Sequence, residues 1–445
     1  MHRDFNTVRR QVLNAGLAAG TGLVSALGAP SARATSAAGP SKKLVVVMLR
    51  GAVDGLSVVV PHADPDYRRN RPEIAIASPG AADGALRLNA QFGLHPALAG
   101  LMPWWQSGRL GFVHASGSHD PTRSHFDAQD HMESATPGRR STPEGWMNRL
   151  LTELAARPSD LQVQGVNLGT AMPRILAGPA PVAALPLAVN DRPGSAPSAA
   201  QTAALDRLYA AQPSTERAWN TLRQTQETIT QAMAQPATGP SSMSPANMGA
   251  ANMGAANMNQ AQGMDAGTAP GAVPLVGLAN EASRLGRLLR HEPGLRAAFL
   301  SVGGWDTHVA QGAARGALAD RLRGLAGGLN ALAGQLGEQL DHTVIVVLSE
   351  FGRTVRQNGT RGTDHGHGNV MWLLGGPVQG GRVAGEWPSL EQSALHDGRD
   401  LAVTTDFRQV LAEVLERHMR LDDRALAQVL PDGPGPGTRP GVIAG

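Results

Sequence analysis

The sequence predicts an α/β fold, a mostly parallel sheet with helices on both faces, and three observations carry that reading. Continuous apolar runs such as Val344-Ile345-Val346-Val347-Leu348 lack the alternation of half-exposed strands, so they read as strands buried on both sides. These runs alternate with helical stretches, as parallel strands joined by crossover helices require. A chain of 445 residues can bury a core of that size, and its 54 Gly and 31 Pro imply many loops.

Leu44 to Leu49 is the first buried strand, running out into Arg50-Gly51-Ala52-Val53-Asp54-Gly55. Pro96 to Gln106 reads as a helix that leads into a strand at Leu110 to His114. A polar loop, Ser116 to Ser124, precedes a helix from His125. Leu161 to Val166 and Leu185 to Val189 are weaker strand candidates. Ala199 to Met233 has amphipathic helical spacing, with Leu205, Leu208, Leu222 and Ile229 among its apolar positions. Ala297 to Val302 is the next strand, ending in Gly303-Gly304-Trp305-Asp306-Thr307-His308. A long helix from Ala313 to Leu340 leads into the Val344 strand; Val370 to Leu374 is a further strand and Phe407 to His418 a closing helix.

Residues 236–274 are low in complexity. There Ala246-Asn247-Met248-Gly249-Ala250 recurs as Ala251-Asn252-Met253-Gly254-Ala255. With few bulky apolar side chains this insert cannot offset its ordering entropy, and it is expected to be mobile. Thioethers bind Cu(I), so Met243, Met248, Met253 and Met258 raise copper handling as one function class. Repeat expansion explains the same spacing, and no His lies among them.

The absence of Cys excludes disulfides, Cys-ligated zinc and thiol catalysis. The formal charge of +3 belongs to the N-terminus, because residues 35–445 hold 35 basic and 35 acidic side chains. No basic run remains to suggest a nucleic-acid partner. Residues 1–34 have the parts of an export signal: Arg9-Arg10, an apolar stretch from Ala15 to Ala29, and the small-x-small site Ala32-Arg33-Ala34. The Arg pair, followed by Leu13, resembles a twin-arginine signal, although Val8 and Val12 depart from its pattern. That resemblance implies the twin-arginine translocase as a partner and a periplasmic or secreted location. No later segment is apolar for the ~18 residues a membrane span needs.

Four segments leave predicted strands at their carboxyl ends, the edge where open α/β sheets bind ligands. They are Asp54, the Ser116–Ser124 loop, Asp306 with His308, and Glu350. The Gly-flanked loop Gly362-Thr363-Asp364-His365-Gly366-His367-Gly368 follows. Asp54, Asp306, His308, Glu350, Asp364, His365 and His367 offer oxygen and nitrogen donors for a divalent metal, beside hydroxyls on Thr122 and Ser124. Two cations and a hydroxyl would suit phosphoryl or sulfuryl transfer.

This order resembles that of the alkaline-phosphatase superfamily, and the His365 loop is similar to the phosphopentomutase loop that carries the last metal-binding His. The set Leu49-Arg50-Gly51-x-x-Asp54-Gly55, Arg123-Ser124-His125-Phe126, Gly303 to His308, Ser349-Glu350-Phe351-Gly352-Arg353 and Asp364-His365-Gly366 more closely resembles an exported family, domain of unknown function 1501, placed in that superfamily. The resemblance spans roughly residues 43–420, outside the Met-rich insert. It implies an alkaline-phosphatase-like fold, with Asp54 and Glu350 on one metal and Asp306, His308 and His365 on another. Phe351 stands where the superfamily has His, so either His367 or Asp364 makes up that ligand or only one ion binds. The ion would be Zn, Mn, Mg or Ca. Ser124, at the helix start, is the implied nucleophile and Thr122 its alternative, with Arg123 and Arg353 clamping the anion's oxygens. A formylglycine sulfatase is not expected, because the chain has no Cys and His119 occupies the position of the oxidised residue.

Simpler roles compete for these residues. Asp54 before Gly55 fits a turn, and Glu350 fits a cap or a salt bridge to Arg353. His95, His114, His131 and His342 lack metal-binding company and read as structural; Trp104, Trp105 and Trp305 read as core. The function expected is hydrolysis of a small anionic ester, phosphate, sulfate or phosphonate, outside the cytoplasm. A non-catalytic metal- or ligand-binding protein on the same fold is the competing class.

Overall fold

The computed structural model describes residues 41–139, 142–155, 163–169, 171–187, 199–210 and 272–445, with isolated positions between 216 and 231. The predicted leader and the Met-rich segment up to residue 271 lie outside the described residues. Twelve strands follow in chain order: β1 (Lys43–Leu49), β2 (Val59–Val60), β3 (Leu86–Arg87), β4 (Gly93–Leu94), β5 (Leu110–Gly117), β6 (Gly165–Leu168), β7 (Val182–Leu185), β8 (Ala297–Val302), β9 (Thr343–Ser349), β10 (Asn369–Gly375), β11 (Val383–Ala384) and β12 (Thr405–Asp406).

The main sheet runs β11-β5-β10-β9-β1-β8-β6-β7, with β12 also on β5. β10 alone is antiparallel to its neighbours; every other pairing is parallel. The predicted mostly parallel α/β architecture is therefore the observed one. β2, β3 and β4 form a separate small sheet.

Side-chain alternation along the strands divides the core between the two faces. Val45, Val47, Leu300 and Val347 pack with the helices Leu278–His291 and Ala317–Leu336. Leu44, Val46, Phe299 and Val346 pack on the other face with Trp146–Ala155 and Phe407–Glu413. Because β1 is covered on both faces and paired on both edges, all seven of its residues are buried.

Several elements differ in detail from expectation. The two weaker strands lie at Gly165–Leu168 and Val182–Leu185, the first starting a few residues later and the second a few residues earlier than the sequence suggested. The closing helix is α-helical over Phe407–Glu413 and widens into a π turn over Val414–His418. Val273, at the edge of the predicted insert, is buried and bridges to Val302, so ordered packing resumes before residue 274. Among the described residues, no helix is long and apolar enough to cross a membrane.

Candidate functional site

β9, β1 and β8 are adjacent, so their carboxyl ends bring the Glu350, Gly51 and Asp306 loops together. The loop after β9 never leaves this edge, because β10 returns antiparallel. That holds the Asp364–His367 segment against the Asp306 loop. From the other side of β10, β5 delivers the Ser118–Ser124 loop and the helix His125–Ser134. Ser124 caps this helix, accepting from the Asp127 backbone N–H. The capped start aims His125 back toward the sheet edge. Close loop crossings explain two of the glycines. Gly51 adopts φ +111° and its Cβ would lie 2.8 Å from the Asp306 nitrogen, and a Cβ on Gly352 would collide with the Gly368 carbonyl.

Three imidazoles converge on the Asp306 carboxylate. Asp306 Oδ1 lies 2.9 Å from His308 Nε2 and 3.3 Å from His365 Nε2, and Oδ2 lies 3.4 Å from His125 Nε2. His125, Asp306 and His365 form a group able to hold a metal ion, their ligand atoms all within 4.8 Å of one another.

Each ring is oriented from behind by an acceptor on Nδ1. His125 Nδ1 donates to Glu350 Oε1 at 2.8 Å, His308 Nδ1 to Asp364 Oδ1 at 3.0 Å, and His365 Nδ1 to the Arg123 carbonyl at 2.9 Å. An ionised carboxylate or a carbonyl can only accept, so a proton sits on each Nδ1, and Nε2 is left as the atom that would offer its lone pair inward to a cation in place of a second proton. Two features then call for a cation. His125 Nε2 is buried without a hydrogen-bond partner, and His308 Nε2 lies 3.1 Å from His365 Nε2. Imidazole nitrogens and a carboxylate are donors that fit Zn²⁺ and its neighbours.

The electrostatics agree. Burial opposes a charge on His125, but the Asp306 and Glu350 carboxylates beside its two ring nitrogens outweigh it and raise the pKa to about 9. A site that draws a proton onto an imidazole so strongly favours positive charge. Burial also opposes ionisation of Asp306, yet His125, His365 and Arg353 hold its carboxyl far below the usual range. For Glu350, the donors His125 and Gln129 overcome burial and lower the pKa to about 2.

The remaining predicted residues take other places. Asp54 does not join this group: its buried carboxylate receives Arg71 at 2.6 and 2.9 Å, Ser57 Oγ at 2.6 Å and Gln311 Nε2 at 2.7 Å. Those donors use its lone pairs, so the expected sharing of an ion by Asp54 and Glu350 is not assembled. Glu350 is taken up by His125, Gln129, the Gly51 N–H and Ser349, and so orients a ring from behind. Asp364 does the same for His308. His367 faces away and stacks on His396, ring centroids 4.0 Å apart.

Neither arginine is a free clamp. Arg353 is fully buried and donates to Asp306 and to the carbonyls of Gly51, Ala52, Trp305 and Thr363. It ties three loops together and fixes Asp306. Arg123 pairs with Asp397 at 3.0 Å and Asp400 at 2.8 Å. Ser124 is exposed beside His125, while Thr122 Oγ1 accepts from the Ser124 N–H.

His125 is the residue that sequence reasoning passed over. It stands inside the Arg123-Ser124-His125-Phe126 motif, and the helix start there drew attention to the hydroxyls. The available signal was a His at the first position of a helix leaving the same sheet edge.

No curated protein matches the sequence. Among solved structures, the chain is similar to a Vibrio parahaemolyticus protein in the alkaline phosphatase superfamily, at 10% identity and a TM-score of 0.34, over 78% of this chain. It spans only 62% of that protein's length. It is also similar to Ps i-CgsB, solved in complex with k-i-k-neocarrahexaose, at 9% identity and a TM-score of 0.25, over 82% of this chain and 68% of that one. The family model described as protein of unknown function, DUF1501, matches residues 41–431, and the chain belongs to that family.

Proposed function

We propose that this protein is an exported, metal-dependent hydrolase of a phosphate or sulfate ester, or of a related phosphonate. The observation that carries the reading is the convergence of three Nε2 atoms on Asp306, each ring oriented by an acceptor on Nδ1. His125, Asp306 and His365, with His308 alongside, would hold one divalent ion. The imidazole content favours Zn²⁺ over Mg²⁺ or Ca²⁺. Such an ion supplies Lewis-acid polarisation of an ester oxygen.

The protein's own groups would do the rest. Glu350, Asp364 and the Arg123 carbonyl keep the three rings in register. Arg353 holds Asp306. Ser124, exposed at the capped start of a helix, is the proposed attacking hydroxyl, since free N–H groups there favour an anion.

Protein purified without chelator should contain about one zinc-like ion per chain, as the single donor group predicts, and turn over an ester panel. Ser124→Ala should keep the ion and lose turnover. Thr122→Ala should keep both. His125→Ala should lose both. Full activity in Ser124→Ala would remove that hydroxyl from the chemistry.

A second reading, a metal-binding protein without catalysis, is favoured by the commitment of Arg123 and Arg353 to other partners. It predicts retained metal and no turnover in the wild type.

A further inference from the structure

We infer that the site takes an ester with at most one negative charge and an apolar substituent, a diester rather than a dianionic monoester. This rests on the hydrolase reading above and names its substrate class. Three observations support it.

The first is charge. Asp306, Glu350 and Asp364 are the carboxylates touching the three rings, and Arg353 is the cation bonded to Asp306. One divalent ion neutralises that set and leaves no excess positive charge for a dianion. Beside it, Arg123 and Arg399 are balanced by Asp397 and Asp400.

The second is the lack of a clamp. Three arginines touch the cluster through backbone or side chain: Arg123, Arg353 and Arg399. Each has its guanidinium bonded to a carboxylate. Arg356 and Arg361, farther along the same loop, are exposed, where water and salt weaken their hold on an anion.

The third is the apolar rim. The exposed large hydrophobic side chains among the described residues are Phe126, Leu208, Val276 and Val309. Two of these four are the chain neighbours of site histidines. Phe126, 89% exposed, follows His125, and Val309, 66% exposed, follows His308. They come from different segments, one from the helix after β5 and one from the loop after β8. Large apolar groups left in water beside a polar cluster mark a surface that something apolar covers.

The test uses the full zinc-loaded protein and alkyl para-nitrophenyl phosphates with methyl, butyl and hexyl groups, against para-nitrophenyl phosphate. In each diester the bond from phosphorus to the nitrophenolate oxygen breaks and nitrophenolate departs with the electron pair. Ser124 Oγ bonds to phosphorus as its proton passes to solvent. Water then displaces Ser124, leaving the alkyl phosphate.

Diesters should be preferred in kcat/KM, increasingly with chain length. Phe126→Ala should raise KM for the hexyl diester roughly tenfold or more, the value of burying a large apolar group. The rise in KM should shrink with the alkyl chain and be smallest for the methyl diester, with kcat affected less than KM. Preference for the monoester, or no dependence on chain length with Phe126→Ala silent, overturns this inference and leaves the hydrolase standing. Turnover of none of the four overturns this inference, and turnover of neither these nor para-nitrophenyl sulfate nor para-nitrophenyl phenylphosphonate overturns the hydrolase reading as well.

Discussion

The Asp54→Ala substitution separates a structural carboxylate from a metal ligand. Asp54 and Arg71 are both wholly shielded from water. Removing the carboxylate leaves a buried guanidinium facing a small void and deprives Ser57 and Gln311 of their acceptor. Breaking a buried pair from one side costs about 3–5 kcal/mol. The cost should appear with or without metal, because no cluster residue contacts this carboxylate. Urea unfolding of chelator-treated protein measures it directly, read as a large drop in the midpoint with little change in slope. Zinc titration of the same variant, under conditions where it remains folded, should give near wild-type affinity. The reasoning fails if chelated Asp54→Ala unfolds within about 1 kcal/mol of wild type, below the cost of a broken buried pair, while its zinc affinity collapses.

Further outcomes follow from the same geometry. His95 and His114 each donate Nε2–H to a carbonyl and accept a backbone N–H on Nδ1, and burial lowers both pKa values to about 4. Between pH 6.5 and 4 the unfolded chain binds protons that these folded rings refuse. Stability should therefore fall with pH across that window, by roughly 3 kcal/mol per ring once fully below it. His114→Gln should flatten the slope of unfolding midpoint against pH. Arg353→Lys cannot serve Asp306 and four carbonyls at once, so zinc affinity by calorimetry should fall roughly 10–100-fold, the usual cost of losing a ligand's support. Unchanged affinity would show that Asp306 needs no such anchor. Replacing Arg9-Arg10 with Lys-Lys should trap the precursor in the cytoplasm, because the twin-arginine receptor reads the guanidinium pair and not charge alone. Normal processing of that precursor would point to the general secretory route.

What the sequence made legible followed from how local the signals were. β1, β8 and β9 are runs of buried residues that no other element explains, and their bounds were read to within a residue or so. Asp306, His308 and His365 stood out because acid and imidazole shared Gly-rich loops. Direction and partnership were less visible. Nothing beside Asp54 announces that Arg71, seventeen residues on, occupies its oxygens. Arg353 shows its charge in the sequence but not that it points inward among carbonyls. The reversal of β10 was legible in principle, since the stretch from β9 to β10 carries no crossover helix and a parallel return would need one. β2, β3, β4, β11 and β12 are two residues each, too short for any periodicity to register.

The position of β1 bears on the order in which the protein can be built. This strand begins at Lys43, yet its ladder partners are β8 and β9, completed at Val302 and Ser349. A ribosome working from the N-terminus therefore makes this central strand first and its two neighbours some 250–300 residues later, as the register shows. Until then the nascent chain carries an apolar strand with both edges open, a state prone to wrong pairing. Closure of the sheet and assembly of the Asp306 cluster must both wait for the same late segments. Metal binding would thus report on near-complete synthesis, and truncated chains ending before β9 should neither bind zinc nor fold.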